Sequence, residues 1–165
     1  FELDVKKELS QPGQFASSCK VTVSGPKGET KMTILGPCRS INQVELSFTD
    51  ARALGLDCPV RMSGDIAGSS PCKLTGPAGS VELKEGAIVA MRHCHLTTED
   101  AEKWGLKSGD TVMVKVEGDG TRPLTFDNVA IRVDPNFATY MHVDYDEINA
   151  ASLFGKDPMG EIIKK

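Results

Sequence analysis

The feature that most constrains the fold is an internal repeat. Residues Glu45–Leu56 align with His95–Leu106 at a constant offset of 50 positions (45 to 95), and Leu, Asp, Ala, Gly and the final Leu coincide. The turn Gly25–Gly28 matches Gly76–Gly79 at an offset of 51, and a looser third copy covers His142–Ala151. A solenoid needs at least three regular repeats, so two close copies in a chain of 165 residues favour two similar small β-barrels.

In each copy, a side chain that could bind a metal lies two residues before a helix N-cap. These side chains are Glu45, His95 and His142, and the N-caps that follow them are Ser47, Thr97 and Asp144. An acid three positions after each cap completes a capping-box pattern, and we assign these acids (Asp50, Asp100 and Glu147) to capping alone. Because helix N-termini carry unpaired N–H groups and partial positive charge, three brought together would form an anion site suited to phosphate.

Short strands and tight turns dominate the rest of the chain, which contains 16 Gly and 9 Pro. The predicted strands are Lys20–Ser24, Lys31–Leu35, Ala87–Met91, Thr111–Val116 and Val129–Val133, and the predicted helices are Thr49–Leu54, Thr98–Trp104 and Asp146–Phe154. The expected fold is mainly β, with two small β-barrel domains, 1–90 and 91–165, that carry short capping helices and are related by the pseudo-repeat. The chain opens on Phe1 in a strand-like stretch, so we expect its natural N-terminus and one or more strands of the first domain to be missing.

Composition excludes several classes of protein. The net charge is -4 and only 5% of residues are aromatic, which argues against nucleic-acid binding. No apolar run approaches a membrane span of about 20 residues, and the start has no signal-peptide pattern. The five cysteines are odd in number, widely spaced and without C-x-x-C, so we expect a reducing environment and mostly buried thiols rather than disulfides.

The three histidines of the chain are His93, His95 and His142. In a strand, residues i and i+2 point to one face, so His93 and His95 share a face and Cys94 points the other way as a buried thiol. The pair could bind a metal or could be exposed or hydrogen-bonded, and His142 alone could be a core or cap histidine. Since Glu45 and His142 occupy positions equivalent to His95, the three imidazoles and one carboxylate together suit Zn²⁺ or another borderline divalent ion.

Two arginines lie beside these positions. Arg39 follows a turn six residues before Glu45, and Arg92 directly precedes the H-x-H. Arginine is suited to a bidentate hold on phosphate, and a surface salt bridge is the alternative for either residue. The loop Ser63–Ser70 is rich in small residues but does not match a P-loop, so it is interpreted as a tight loop that allows close backbone approach.

Five motifs, in order along the chain, resemble the PduL-type phosphotransacylases, the phosphate propanoyltransferases of bacterial microcompartments and their cytosolic relatives. The motifs lie at Leu9–Phe15, Gly36–Glu45, Ser63–Gly68, Arg92–Leu96 and Met141–Ala151. The resemblance implies reversible transfer of a short acyl group, propionyl or acetyl, between coenzyme A and phosphate, as in propanediol degradation. It also implies a homodimer and a location in the microcompartment lumen or the cytoplasm, with no nucleic-acid or membrane partner.

The resemblance also assigns residues. It implies a centre of two Zn²⁺ ions in the complete protein, with His93, His95, His142 and Glu45 as metal ligands and Arg39 as the catalytic residue that holds phosphate. It places Lys6, Leu35 and Asn149 near the coenzyme A nucleotide, as substrate-binding residues. The family carries a further H-x-H before the region where this chain starts, so we expect fewer ions and impaired activity if those ligands are absent.

The expected mechanism is direct attack of phosphate on the thioester in a ternary complex, and a cysteine acyl-enzyme is the rival. Three other functions remain open: a non-catalytic zinc-stabilised β-barrel, a metal-dependent thioester hydrolase, and a DNA-binding barrel. The last is prompted by Gly105–Val114, which resembles the G-L-x-x-G-D-x-V-x-V turn of swapped-hairpin DNA binders and double-psi barrels.

Overall fold

The chain folds into two compact units, Phe1–Ala90 and Met91–Lys165, each with its own sheet and its own hydrophobic core. The computed structural model describes residues 2–154 and 158–163, so residue 1 and parts of the C-terminal segment, 155–157 and 164–165, lie outside the described residues. The elements are strands and three short helices within that range, and the predicted mainly β fold of two small domains is confirmed.

The first unit contains a branched sheet of seven strands and one helix. The strands are β1 (Lys7–Glu8), β2 (Phe15–Gly25), β3 (Gly28–Gly36), β4 (Val44–Leu46), β5 (Val60–Arg61), β6 (Ser70–Gly76) and β7 (Gly79–Ala90), and the helix is α1 (Phe48–Leu54). The main path runs β1-β2-β6-β7-β4, while β3 pairs with β2 and β5 pairs with β7. Alternate apolar residues of these strands, such as Val23, Leu46 and Val89, pack with Leu54 of the helix to form the core.

Both Gly-Pro turns of the repeat are two-residue hairpins in this first unit. Gly25 pairs with Gly28 between β2 and β3, and Gly76 pairs with Gly79 between β6 and β7. A Cβ atom at Gly25 would collide with the carbonyl of Leu54, so glycine there lets the hairpin lie directly against the end of α1. The hairpin part of the repeat therefore lies wholly in the first unit, whereas its strand-and-helix part occurs once in the first unit and, counting the looser third copy, twice in the second.

The second unit contains a five-stranded sheet and two helices. The strands are β8 (His93–Leu96), β9 (Thr111–Val116), β10 (Leu124–Val133), β11 (Tyr140–His142) and β12 (Gly160–Ile163), and the helices are α2 (Thr98–Trp104) and α3 (Tyr145–Ala151). The strand order is β11-β8-β10-β9-β12, with β8 parallel to β10 and antiparallel to β11. Cys94, Val112, Phe126 and Ile131 belong to its core.

All three predicted N-caps are confirmed. The side chains of Ser47, Thr97 and Asp144 each accept a hydrogen bond from the backbone N–H three residues on. The reciprocal bond of a full capping box forms in α3, where Glu147 accepts from the backbone N–H of Asp144 at 3.0 Å. The shorter Asp50 and Asp100 instead accept from hydroxyl groups, those of Ser47 and Thr139.

Some predicted boundaries need correction. Helix α3 ends at Ala151 rather than Phe154 because Ser152 adopts a left-handed conformation, with φ of 51°, and caps the helix. Strand β10 begins at Leu124, five residues before the predicted start, because pairing with β9 resumes beyond a bulge between Phe126 and Val129. Strand β7 ends at Ala90, and the H-x-H lies on a separate strand, β8. Within the described residues, no helix is long and apolar enough to cross a membrane.

Candidate metal centre

Two adjacent strands of the second unit bring the three histidines together. Strand β8 carries His93 and His95, and β11 pairs with it so that His142 lies opposite His93. Cys94, which lies between His93 and His95 in the sequence, points the other way into the apolar core, as strand alternation predicts. His93 and His95 are both buried, with 7% and 5% of their surface exposed, so the sheet buries two imidazoles that would otherwise be solvated.

The three imidazole rings form a near-equilateral triangle. The ring centres of His93 and His95 are 4.7 Å apart, those of His95 and His142 are 4.7 Å apart, and those of His93 and His142 are 5.1 Å apart. A tetrahedral zinc ion about 2.1 Å from each nitrogen would place two ligand rings about 5 Å apart, centre to centre. The distances between the ring centres are of the size that ligation of one small cation requires, while the His93 and His142 rings are stacked with their planes 6° apart.

Of the three histidines, His95 gives the strongest argument for a bound cation. Both of its ring nitrogens are buried without a hydrogen-bond partner. An unsatisfied buried polar group costs on the order of 1–3 kcal/mol, so such a residue calls for a physical reason. The ring of Phe137 packs against the imidazole with centres 4.2 Å apart, which keeps water from that side. A cation bound by the imidazole would satisfy a nitrogen that the protein leaves unpaired.

Two of the three histidines, His95 and His142, are neutral at physiological pH. Burial lowers the pKa of His95 to about 3, and the cationic forms of its two neighbours would add to the shift. Burial is also the main cause that lowers the pKa of His142 to about 4. Neutral imidazole is the form that binds metals, so these histidines are ready to act as ligands without losing a proton.

The tautomer of His93 follows from its backbone contact. Its Nδ1 lies 2.8 Å from the carbonyl oxygen of Met91. A carbonyl can only accept, so Nδ1 carries the hydrogen and the lone pair of the neutral ring is on Nε2. Metal-binding histidines typically donate their other ring N–H in this way, which fixes the ring and raises the basicity of the ligand nitrogen.

The donor set fits zinc in its chemistry, although it is not a complete site. Among residues 2–154 and 158–163, no group of three or more His, Cys, Asp or Glu side chains is arranged, as the side chains stand, so that it could hold a metal ion. The three imidazoles thus supply nitrogen donors, and the roles of His93, His95, His142 and Glu45 as ligands stay predictions.

Glu45 lies in the first unit, on β4, between two buried residues, and its own side chain is exposed. Its Oε1 accepts a hydrogen bond of 2.7 Å from Nε2 of Gln43. The same amide nitrogen donates to Ser63 at 2.9 Å, and Gln43 Oε1 accepts from the N–H of Gly64 at 2.7 Å. Gln43 therefore ties the carboxylate to the small-residue loop, a role that its position two residues before Glu45, just ahead of β4, could have indicated.

Two of the residues predicted to contact coenzyme A, Lys6 and Leu35, lie on opposite sides of β2 in the first sheet. The N–H of Lys6 donates to the carbonyl of Ala16 at 3.0 Å, and Ala16 pairs with Leu35 on the other side of β2. Lys6 and Leu35 are both exposed, and Arg39 is exposed four residues beyond Leu35. In the second unit, Asn149 is exposed on α3. The roles of these four residues stay predictions.

Arg92 forms the salt bridge that was the alternative to phosphate binding. Its Nη1 lies 2.6 Å from Oε1 of Glu147, and both side chains are partly buried. The capping pattern predicts a capping role alone for Glu147, and no local signal pairs residues that are 55 positions apart. Phe137, which covers His95, was also missed because it lies in the irregular segment between β10 and β11.

All five cysteines are free thiols, as predicted. Cys58, Cys72 and Cys94 are buried, Cys19 is partly buried and Cys38 is exposed. Burial raises the pKa of Cys94 to about 11 and also raises the pKa values of Cys58 and Cys72. The three buried cysteines are therefore neutral thiols at physiological pH, which are weak nucleophiles.

The fold and the site together define a class of protein: a small, mainly β chain of two units, one of which brings three imidazoles together on adjacent strands and buries two of them. A family model described as phosphate propanoyltransferase matches residues 1–154.

Curated relatives agree with that match. A phosphate propanoyltransferase of Clostridioides difficile (strain 630) is 49% identical over 166 aligned positions, which cover 100% of this chain and 78% of the relative. One of Listeria monocytogenes is 50% identical, with 100% and 76% covered, and one of Salmonella typhimurium is 50% identical, with 88% and 70% covered. The chain belongs to the phosphate propanoyltransferase family.

Proposed function

We propose that this protein is a phosphotransacylase that reversibly transfers a short acyl group, propionyl or acetyl, between coenzyme A and inorganic phosphate. Membership of the phosphate propanoyltransferase family supports the reaction class. The observation that carries the metal-dependent form of the proposal is the buried His95, whose two ring nitrogens have no hydrogen-bond partner and whose ring lies 4.7 Å from those of His93 and His142.

The proposed centre binds Zn²⁺ through His93, His95 and His142, with Glu45 as an oxygen ligand. Bound zinc would supply Lewis-acid polarisation of the acyl carbonyl and positive charge beside the phosphate and the departing thiolate. The chain itself supplies neutral donors, because burial keeps the imidazoles deprotonated, and a partly apolar wall, because Phe137 covers one face of His95.

The reaction needs two anionic substrates to be held together. An oxygen of hydrogen phosphate attacks the thioester carbonyl carbon and the C–S bond breaks. The proton of the phosphate is transferred to the released thiolate, so the products are the acyl phosphate and the coenzyme A thiol. Arg39 is the proposed phosphate holder, since a guanidinium group can form two parallel hydrogen bonds with phosphate oxygens. Its exposure leaves the side chain accessible to a substrate from solution.

Direct attack by phosphate is favoured over a cysteine acyl-enzyme. Three of the five cysteines are buried thiols with raised pKa values, which leaves Cys38 and Cys19 as the accessible candidates. If the reaction proceeds by direct attack, Cys38→Ser and Cys19→Ser retain full turnover. Loss of turnover in either variant, with zinc content unchanged, would instead support an acyl-enzyme.

Lys6 and Leu35 are proposed to contact the coenzyme A nucleotide, because both side chains are exposed and both residues lie beside Ala16 of β2, Lys6 through a backbone hydrogen bond and Leu35 through strand pairing. Asn149 is proposed to contact the same cofactor from α3. We further propose a homodimer located in a bacterial microcompartment lumen or in the cytoplasm, as the resemblance implies.

The decisive assay follows loss of propionyl-CoA with and without phosphate. The proposal requires that release of the coenzyme A thiol depends on phosphate and equals the acyl phosphate formed, trapped as the hydroxamate. Chelation should abolish turnover while circular dichroism shows a retained fold, and added zinc should restore it. Thioester loss without phosphate would indicate a hydrolase, and unfolding on chelation without any turnover would indicate a zinc-stabilised barrel.

Arg39→Ala tests the phosphate assignment. Loss of a charge-assisted hydrogen bond should raise the KM for phosphate by about ten-fold or more while zinc content stays unchanged. Arg61→Ala is the matched control, because Arg61 lies in the same unit and pairs with Asp65 at 3.7 Å on the surface. Loss of zinc from Arg39→Ala would count against its assignment to phosphate.

A further inference from the structure

Arg92 is held at both its backbone and its side chain by residues that lie beside the histidine cluster. Its carbonyl accepts a hydrogen bond of 3.2 Å from Ala130 on β10, and its Nε donates to the carbonyl of Asp127 at 2.8 Å. Its guanidinium carbon lies 5.6 Å from the centre of the Phe126 ring. This residue forms the junction between β7 and β8, one position before His93.

The carbonyl that Arg92 contacts is presented by the bulge in β10. Register with β9 shifts between Phe126 and Val129, and Asn128 adopts a positive φ of 54°. A bulge turns backbone groups out of the ladder, so the Asp127 carbonyl becomes accessible to a side chain. The bulge thus provides Arg92 with a fixed acceptor.

The other end of the guanidinium group connects to the strand that carries His142. Nη1 of Arg92 lies 2.6 Å from Oε1 of Glu147, and Oε2 of Glu147 accepts from the N–H of Asp144 at 3.0 Å. Asp144 caps α3 and follows His142 by two residues. A short path of charge-assisted hydrogen bonds therefore runs from the residue before His93 to the cap after His142.

We infer that the Arg92–Glu147 ion pair is a positioning device for the histidine cluster, which holds the segment Met91–His93 and the segment His142–Asp144 at a fixed separation. The β8–β11 ladder joins these segments on one side, and the ion pair joins them beyond the ends of the strands. The relevant consequence is local: the Met91 carbonyl stays against Nδ1 of His93, which keeps the lone pair on Nε2.

Part of this inference rests on the proposed function, because a positioned imidazole matters only if it binds a cation. Partners that orient a ligand typically change metal affinity by 10–100-fold when they are lost. Since the ladder still pairs His93 with His142 without the ion pair, the expected loss lies at the lower end of that range.

The experiment uses the full chain and two readouts other than activity. The first is the affinity for Zn²⁺ alone, measured by competition with a chromophoric chelator. The second is the tautomer of His93 in the zinc-free chain, measured by long-range ¹H–¹⁵N NMR on ¹⁵N-histidine-labelled protein. Arg92→Met, which keeps the apolar stem and removes the charge, should weaken zinc binding about ten-fold and lose the single Nδ1–H tautomer.

Glu147→Gln separates the ion pair from the cap. Glutamine at this position still accepts from the Asp144 N–H, so α3 keeps its capping box while the charge is removed. Its zinc affinity should fall about three-fold, and the double variant with Arg92→Met should bind no more weakly than Arg92→Met alone. Arg92→Lys keeps the charge, but its ammonium group cannot contact Asp127 and Glu147 together as the planar guanidinium group does, so its zinc affinity should be intermediate. This conservative variant keeps the test informative if Arg92→Met does not fold.

Lys115→Met is the matched control, because Lys115 forms a surface ion pair of 3.1 Å with Glu117 in the same unit. It should leave both readouts unchanged. The inference is overturned if Arg92→Met keeps the single His93 tautomer and binds zinc as tightly as Lys115→Met does. A lower melting temperature of Arg92→Met would not change that conclusion. If the unaltered chain binds no zinc, the proposed function fails, and the tautomer comparison alone then decides whether the ion pair positions His93.

Discussion

The two copies of the repeat share one backbone frame and present different side chains from it. In each, a strand that pairs in parallel leads into an N-cap, a seven-residue helix and a left-handed glycine at Gly55 or Gly105. The N–H of the leucine that follows each glycine bonds to the carbonyl of the alanine in the middle of the helix at 2.9 Å in both copies. Capping chemistry therefore specifies the frame twice, independently of function.

The position two residues before the cap distinguishes the copies. In the first unit it holds Glu45, which is exposed and hydrogen-bonded by Gln43. In the second it holds His95, which is buried with both nitrogens unpaired. The first copy satisfies its polar side chain within the protein or in water, whereas the second leaves a cost that only a ligand can offset. The same local fold thus serves different chemistry through one side chain and its burial.

Substituting leucine at the two equivalent positions should give the largest contrast. His95→Leu should abolish measurable zinc binding and reduce phosphate-dependent acyl transfer by at least about 100-fold, yet raise the stability of the zinc-free chain by about 1 kcal/mol. The gain arises because an apolar side chain of similar volume replaces two unsatisfied nitrogens. Glu45→Leu removes a carboxylate that is exposed, so the free energy of unfolding should change little.

Urea unfolding of the zinc-free chains and zinc titration measure this contrast. If His95→Leu destabilises the zinc-free chain as strongly as it weakens zinc binding, the imidazole has a structural partner and the comparison between the two copies fails. A zinc affinity that is unchanged in His95→Leu would remove His95 from the proposed ligand set.

The second contrast between the two copies is expected in the pH dependence of the free energy of unfolding. The pKa of His95 is about 3 in the folded chain and about 6.5 when unfolded, so between these values the unfolded chain binds more protons. Stability is therefore full above about pH 6.5 and is lost as the pH falls towards 3. Between pH 7 and pH 5 the zinc-free chain should lose on the order of 1–2 kcal/mol through this residue.

His95→Leu should flatten that part of the pH profile, measured by denaturant unfolding at each pH in the presence of a chelator. Subtracting the profile of the variant from that of the unaltered chain cancels the contributions of carboxylates, including Asp4 and Asp119, whose pKa values are lowered by hydrogen bonds. Parallel profiles would show that His95 is not buried as a neutral group.

Local patterns could be predicted from the sequence, and long-range partners could not. Strand alternation indicated that His93 and His95 share one face, and the repeat indicated that His95 and His142 each lie two residues before a helix N-cap. Both rules depend only on near neighbours in the sequence. The pairing of β11 with β8, which brings His142 to within 5.1 Å of His93, depends on the tertiary fold. Family resemblance supplied that association before the geometry did.

The missed features have the same origin. Arg92 and Glu147 are far apart in sequence, and Phe137 reaches His95 from a segment without regular structure. The early end of α3 depends on Ser152, a residue type with no strong preference for the left-handed conformation that it adopts here. None of these contacts has a period or a motif from which it could be inferred.

Removing the three caps tests whether the frame and the chemistry are separable. Ser47→Ala and Thr97→Ala should each cost about 1 kcal/mol, because each leaves one helix N–H without its acceptor. Asp144→Ala should cost up to about 2 kcal/mol, since it also removes one half of a capping box. Thermal unfolding measures all three. Zinc affinity should then fall for Thr97→Ala and Asp144→Ala, whose caps lie two residues from His95 and His142, and fall less for Ser47→Ala, whose cap follows the exposed Glu45. Equal losses of stability with equal zinc affinities would mean that the frame does not position the imidazoles, and the histidine cluster would then owe its geometry to the β8–β11 ladder alone.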